Sequence, residues 1–210
     1  MRELTRRNFG KLSVPRARNP FVQGIGYVND DVLFDSFSVA AGAAMPASTI
    51  MFSVPVGGAK TLAQTNMQVG GQLENGDTFK IAAFGISIAF NTHRTDAINL
   101  LDNVSVKLRV GGRVYTQGKL SLYPGGAGGC LQAAAQVGTA PAGDAPVHGF
   151  SNGVPDLRNM FTFRDPIEIT QGERIAVEVV AETGFSMVAA PGVGTTITAV
   201  LYGERVRKVQ

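Results

Sequence analysis

A chain of 210 residues with 26 glycines, 17% charged residues and a net charge of +3 is long enough to bury roughly 70–75% of its unfolded surface, so a single domain can hold a core without disulfides or metals. Its one cysteine, Cys130, excludes an internal disulfide. Charge below the usual ~25%, with glycine above the usual ~7%, points to many turns and to surface that does not all face water.

The first thirty residues read as a basic arm. Residues 1–20 carry a net +5, from Arg2, Arg6, Arg7, Lys11, Arg16 and Arg18 against Glu3 alone, and hold no apolar run of the secretory type. Such an arm can neutralise phosphates on nucleic acid or lipid headgroups, or lie across an acidic neighbouring subunit; a solvated, frayed terminus is the plain alternative. The body from 31 to 203, net −4 with residue 21 onward included, reads as one domain. Val32–Val39 and Thr49–Val54 are weaker strand candidates. The stretch Ser36–Ala59 carries no charge, but Pro46, Pro55 and its Gly, Ser and Thr residues unsuit it to a spanning helix of ~20 apolar residues. Asn66–Leu73 is another weak strand, followed by a turn at Asn75-Gly76-Asp77. Then TFKIAAFGISIAF (78–90), apolar on both faces in its middle, reads as a central strand buried between layers.

Only Thr95–Leu101 suggests a helix, with a capping residue, an acidic first turn and apolar residues at helical spacing. After it Val104, Val106, Leu108 and Val110 alternate with Ser105, Lys107 and Arg109, the mark of a half-buried strand. Gly111-Gly112 suits a two-residue primed turn, so VYTQGKLSLY (114–123) completes a hairpin. Residues 124–156, rich in Gly, Ala and Pro, exceed the ~12–15 residues usual for an unstructured loop, and so sparsely charged a loop is expected to lie against a neighbour. Leu157–Phe163 is a weak strand. PIEITQGERIAVEVVAE (166–182) reads as a second hairpin turning at Thr170-Gln171-Gly172-Glu173. TTITAVLY (195–202) reads as the last strand, and 204–210 as a basic tail of net +2, with Arg205, Arg207 and Lys208 as candidate contact residues. Short strands, Gly/Pro turns and almost no helix give the expected class: all-β, a two-sheet antiparallel sandwich with one short helix near 95–101.

Motifs for chemistry fail one by one. Gly149-Phe150-Ser151-Asn152-Gly153 matches the nucleophile-elbow pattern, yet lies in a loop-like context and follows both histidines, His93 and His148, in the chain. Two histidines 55 positions apart and one cysteine supply no zinc spacing. His93 reads as a loop or helix-start residue. Asp30-Asp31 lacks calcium-loop spacing, and Gly125-Gly126-Ala127-Gly128-Gly129 lacks the Lys-Ser/Thr of a phosphate loop. No tryptophan and four tyrosines argue against a glycan cleft, and Lys107 and Arg109 have no aromatic neighbours for base stacking. The expectation is no enzyme, no cofactor, no metal and no small-molecule substrate.

A basic arm followed by a short-stranded all-β body resembles the jelly-roll coat proteins of icosahedral viruses. The segments LENGDTFKIAAFGISIAF, NVSVKLRVGGRVYTQGKLSLYPGGAGG and DPIEITQGERIAVEVV look like coat proteins of tailless bacterial viruses, some with an internal membrane. They span about half the chain, between 73 and 180. The resemblance implies an eight-stranded jelly roll that assembles with copies of itself and other virion proteins into a capsid, made in the host cytoplasm. The arm residues Arg2 to Arg18 would then touch genome, membrane or adjacent subunits. The chain is too short for two full jelly rolls. The alternative function is a β-sandwich binding module for a glycan or protein ligand, such as a virion decoration or attachment protein, working through 124–156.

Overall fold

The computed structural model of the chain describes residues 27–89, 92–125, 130–133, 148–151, 160–189 and 194–207. Eight strands form two antiparallel sheets. The first sheet runs in the order β1 (Tyr27–Val39), β10 (Thr195–Arg207), β3 (Asp77–Ile88), β8 (Phe161–Ile169), and the second β2 (Ser48–Met51), β9 (Ile175–Ala181), β4 (Val104–Val110), β5 (Arg113–Lys119). The pairings are nested. Of these eight strands the first pairs with the last, the second with the seventh, the third with the sixth and the fourth with the fifth. The β10–β3 and β9–β4 ladders close each sheet. One long hairpin rolled up on itself gives this pattern, the jelly-roll sandwich. Its tip is Gly111-Gly112, both at positive φ (56° and 85°), as a two-residue primed turn requires.

Period-two alternation makes the core. Val104, Val106, Leu108 and Val110 of β4 and Ile175, Val177 and Val179 of β9 are buried against Leu33, Phe79, Ile81, Ile197, Ala199 and Leu201 of the other sheet. In β3 the rhythm changes phase: Phe79 and Ile81 are buried, then Phe84, Ile86 and Ile88. Ala82 has no partner on β10, since Tyr202 faces Ala83 and Gly203 faces Ile81. This β-bulge inserts one residue and keeps both halves of the strand pointing inward. Gly203 sits beside the bulge because any side chain there would run into the Lys80 carbonyl. Tyr123 seals the open side between β5 and β8, its ring 5.1 Å from Phe84 and 5.3 Å from Phe161, its hydroxyl 2.7 Å from Thr116 Oγ1.

Several expectations are corrected. Residues 166–182 do not make a hairpin: β8 pairs with β3 and β9 with β4 and β2, so 170–174 carries the chain from one sheet to the other. Alternation identifies strands but not their partners, because either sheet accepts the same apolar stripe. Asn66–Leu73 is no strand; it carries turns and isolated bridges. Tyr27–Asp30 belongs to β1 rather than to an arm, and residues 204–207 to β10 rather than to a tail, because each supplies the other's backbone partners from Tyr27↔Arg207 onward. The helix, α1, spans Arg94–Asn103 and is capped by His93, whose Nδ1 accepts from Thr95 N at 3.2 Å; Thr95 lies inside it. Strand β5 stops at Lys119, and Leu120–Leu122 forms one 3₁₀ turn. Within 124–156, β6 (Cys130–Ala133) pairs with β7 (His148–Ser151).

The two ends of the sandwich differ. One carries the turns at 111–112 and 170–174, joined by Gly111 N donating to Arg174 O, and the paired residues Tyr27 and Arg207 that begin β1 and end β10. The other carries α1 and the segments around Met45 and Met187, which exchange backbone bonds with Phe185 and Ala43.

Candidate functional site

At the chain-end side of the first sheet the structure gathers charge. Arg205 and Arg207, near the end of β10, meet Asp31 at the start of β1, Asp77 at the start of β3 and Glu74 just before it. Arg205 Nε lies 2.7 Å from Asp31 Oδ2, off the line of a good hydrogen bond, and its guanidinium reaches Asp77 at 3.7 Å. Arg207 donates to both oxygens of Asp77, at 3.1 and 3.2 Å, and to Glu74 at 3.0 Å. The Asp77 side chain is 1% exposed. Its hydrogen bond, then its charge, then that of Glu74, hold the Arg207 guanidinium above its ordinary range, so it stays cationic. A cavity of about 590 Å³ opens beside the cluster, lined by Asn29, Asp30, Asp31, Arg205 and Arg207. The tail residues Arg205 and Arg207 are thus ion-paired parts of a strand. Lys208 and the arm residues Arg2, Arg6, Arg7, Lys11, Arg16 and Arg18 lie outside the described residues.

The outer faces of the two sheets contrast. On the second sheet Glu178 of β9 accepts from Arg109 at 2.9 Å, lies 3.9 Å from Lys107 and takes a bond from Ser48; Ser105 bonds Glu182. That face is ion-paired along β4 and β9, with Ile50 and Val114 exposed beside Glu178 and Arg109. On the first sheet the outward positions of β1 from Val32 to Ser38 and of β10 from Thr196 to Tyr202 carry no charge. Val32 faces Tyr202 and Phe34 faces Val200, while Ser36 and Ser38 share hydroxyl bonds of 2.9 and 2.8 Å with Thr198 and Thr196. Toward the end where Tyr27 meets Arg207 charge runs in a row across the sheet: Asp30 opposite Glu204, Glu204 opposite Lys80, Lys80 opposite Glu168. Lys80 leans to Glu168 at 3.9 Å, and two like charges directly opposite are destabilising.

Inside the sandwich Asp35 is fully buried and accepts Lys60 Nζ on both oxygens at 2.7 Å and Phe52 N at 2.6 Å. This knot holds the 52–65 segment over the end of the core. Asn66 occupies the outer edge of β1 at Val32 and Phe34, accepting from Phe34 N and donating to Val32 O, which blocks strand addition at that point of the edge.

Gly149-Phe150-Ser151 forms the strand β7, and Asn152 and Gly153 lie outside the described residues. Among the described residues no three His, Cys, Asp or Glu side chains gather to hold a metal, and no helix is long and apolar enough to cross a membrane. Sequence reading singled out Arg205 and Arg207 but missed Asp77, Glu74 and Asp31 as their partners. Asp77 and Arg207 are 130 positions apart, and only strand order joins them.

Fold and surface together define the class: an all-β jelly-roll sandwich with ion pairs on the outer face of one sheet, an uncharged strip on β1 and β10 of the other, and a charged end where β1 begins and β10 ends. No protein-family model matches the chain, and no curated protein matches it.

Proposed function

We propose that this chain is a coat subunit that assembles with copies of itself and other virion proteins into the shell of a virus particle. The observation that carries the reading is the unequal outer faces: charge is spent on one sheet and withheld from the central strip of the other. A soluble monomer has no need to leave such a strip uncharged, and contact surfaces are depleted of charge at their centre. The nested jelly-roll topology, the basic first twenty residues and the sequence resemblance support the same reading. The basic residues Arg2, Arg6, Arg7, Lys11, Arg16 and Arg18 serve neighbouring subunits, genome phosphates or lipid headgroups; the site of action is the virion, after synthesis in the host cytoplasm. No catalytic step is assigned. The purified chain should form large symmetric particles or capsomers by light scattering and negative-stain microscopy. A monomer that persists at every concentration and salt tried sinks the proposal.

A second reading is favoured by the β6–β7 hairpin, which lies within a long insertion and contacts α1 at one end of the sandwich. Ligand-binding loops of sandwiches cluster at such ends, so the chain could capture a glycan or protein on the virion surface. Replacing 126–159 by a short linker would then abolish capture and leave oligomer size unchanged.

A further inference from the structure

Two flanks of the sandwich carry opposite charge at the end where β1 begins and β10 ends. On one flank is the uncharged strip of β1 and β10. At its mouth stand Asp30 and Glu204, exposed and directly opposite each other, with no ion pair among the described residues. On the other flank β5 is the outer strand of its sheet. Its first residues, Arg113, Val114 and Tyr115, are all exposed, and Arg113 likewise has no ion pair among the described residues. Strand order sets these flanks apart: β1 lies beside β2, whereas β5 lies beside β8 through Tyr123, which bonds Thr116 and packs on Phe161. Their level is nonetheless the same. Arg113 follows the Gly111-Gly112 turn, which Gly111 N ties to Arg174 at the end that holds Tyr27 and Arg207.

We infer that copies of this chain meet head to tail, the Arg113–Tyr115 corner of β5 on one copy seated over the Asp30–Glu204 mouth of the strip on the next. This contact rests on the coat reading and assigns the two surfaces that join. Arg113 brings the cation that two facing carboxylates lack. Val32 and Tyr202 face each other two residues inward from those carboxylates, and Tyr115 lies two residues beyond Arg113, so both steps span about 6–7 Å and the apolar side chains meet when the charges do. The β5 edge does not select its own copy. An antiparallel pairing of two β5 strands over their full length brings Arg113 opposite Lys119, and like charges directly opposite are destabilising. Unlike surfaces make a heterologous contact, which closes into a ring or runs on as a filament. Because both surfaces stand at one end of the sandwich, successive copies share an orientation, as the subunits of a ring do. The strip measures on the order of 10 Å by 23 Å, a fraction of the ~800 Å² per partner in a stable interface. It is the uncharged centre of the contact, and Asp30, Glu204 and Arg113 belong to the polar rim.

Two single-cysteine chains test the contact, Tyr115→Cys and Val32→Cys, each in a Cys130→Ser background. Mixed under conditions where the unaltered protein assembles and then oxidised, they should give a disulfide-linked heterodimer, while neither chain alone gives more than a trace of dimer. Dimer from either chain alone as fast as from the mixture, or no dimer from the mixture, overturns the contact. Charge reversal tests it without cysteines. Arg113→Glu, at an exposed position, should raise the concentration of half-assembly by at least about tenfold in light scattering, because it sets like charges across the interface. Adding Asp30→Lys to it should recover most of that rise, with circular dichroism showing both variants folded. An unchanged midpoint in Arg113→Glu, or no recovery in the double variant, overturns the contact. If the unaltered protein assembles and these results fail, the contact is refuted and the coat reading stands; if the unaltered protein never assembles, both are refuted.

Discussion

Replacing Lys60 by Met removes an ammonium and keeps most of an aliphatic stem. Asp35 would then remain a fully buried carboxylate with one donor, Phe52 N at 2.6 Å, where it now has the lysine bridging both oxygens at 2.7 Å. Removing one partner of a buried pair costs about 3–5 kcal/mol, because the other charge is stranded away from water. The Lys60 side chain is 15% exposed, so some water relieves the carboxylate and the low end applies. A second consequence falls on Phe52, buried with φ at 67°, a conformation that costs a non-glycine residue about 1–3 kcal/mol and that the Asp35 bond holds in place. With a urea dependence of about 2 kcal/mol per molar, Lys60→Met should lower the midpoint of unfolding by about 1.5 M. Far-UV circular dichroism and tyrosine fluorescence follow it, as the chain has no tryptophan. The double variant Asp35→Asn/Lys60→Met removes both charges and keeps an oxygen for Phe52 N, so it should recover most of the loss and sit about 1–2 kcal/mol below the parent. If Lys60→Met costs under about 1 kcal/mol, the pair behaves as an exposed one and the argument fails. It fails equally if the double variant is as unstable as the single.

At the charged end, Asp77→Asn should destabilise by about 1–3 kcal/mol, because a buried acceptor serves two arginines, while Arg207→Ala, at a side chain 56% exposed, should cost less than Asp77→Asn, because water screens an exposed ion pair; urea midpoints compare them. Tyr123→Phe should cost about 0.5–1.5 kcal/mol for the Thr116 bond, and Tyr123→Ala about 3–5 kcal/mol for the ring packed between Phe84 and Phe161, both read by thermal unfolding. Deleting Ala82 should leave the protein soluble on expression, since it removes the extra residue of the bulge and puts Phe79, Ile81, Phe84 and Ile86 in one unbroken inward alternation. Gly203→Ala should lower the melting temperature clearly, because the added methyl meets the Lys80 carbonyl.

Alternation in Val104–Val110 and Ile175–Val179, the Gly111-Gly112 turn and the lone helical segment before β4 were all readable from the residues, because each depends on neighbours within about ten positions. The class of fold followed from them. So did the position of His93 at the helix start. The capping role fell to His93 rather than Thr95 because both can accept a backbone bond, and local sequence does not rank them when the chain enters the helix extended.

The sequence by itself determined which stretches are extended, which positions face inward and where the charge accumulates along the chain. Tertiary structure decided what those stretches meet. It split 166–182 between two sheets, drew Arg205 and Arg207 out of a tail and onto Asp77 and Asp31, buried Asp35 with Lys60, and set an uncharged strip on one face against ion pairs on the other. The physical reason is the same each time: side-chain alternation is a property of one strand, whereas sheet order and ion pairing join residues up to 180 positions apart, as Tyr27 and Arg207 are, and no short-range pattern records that choice.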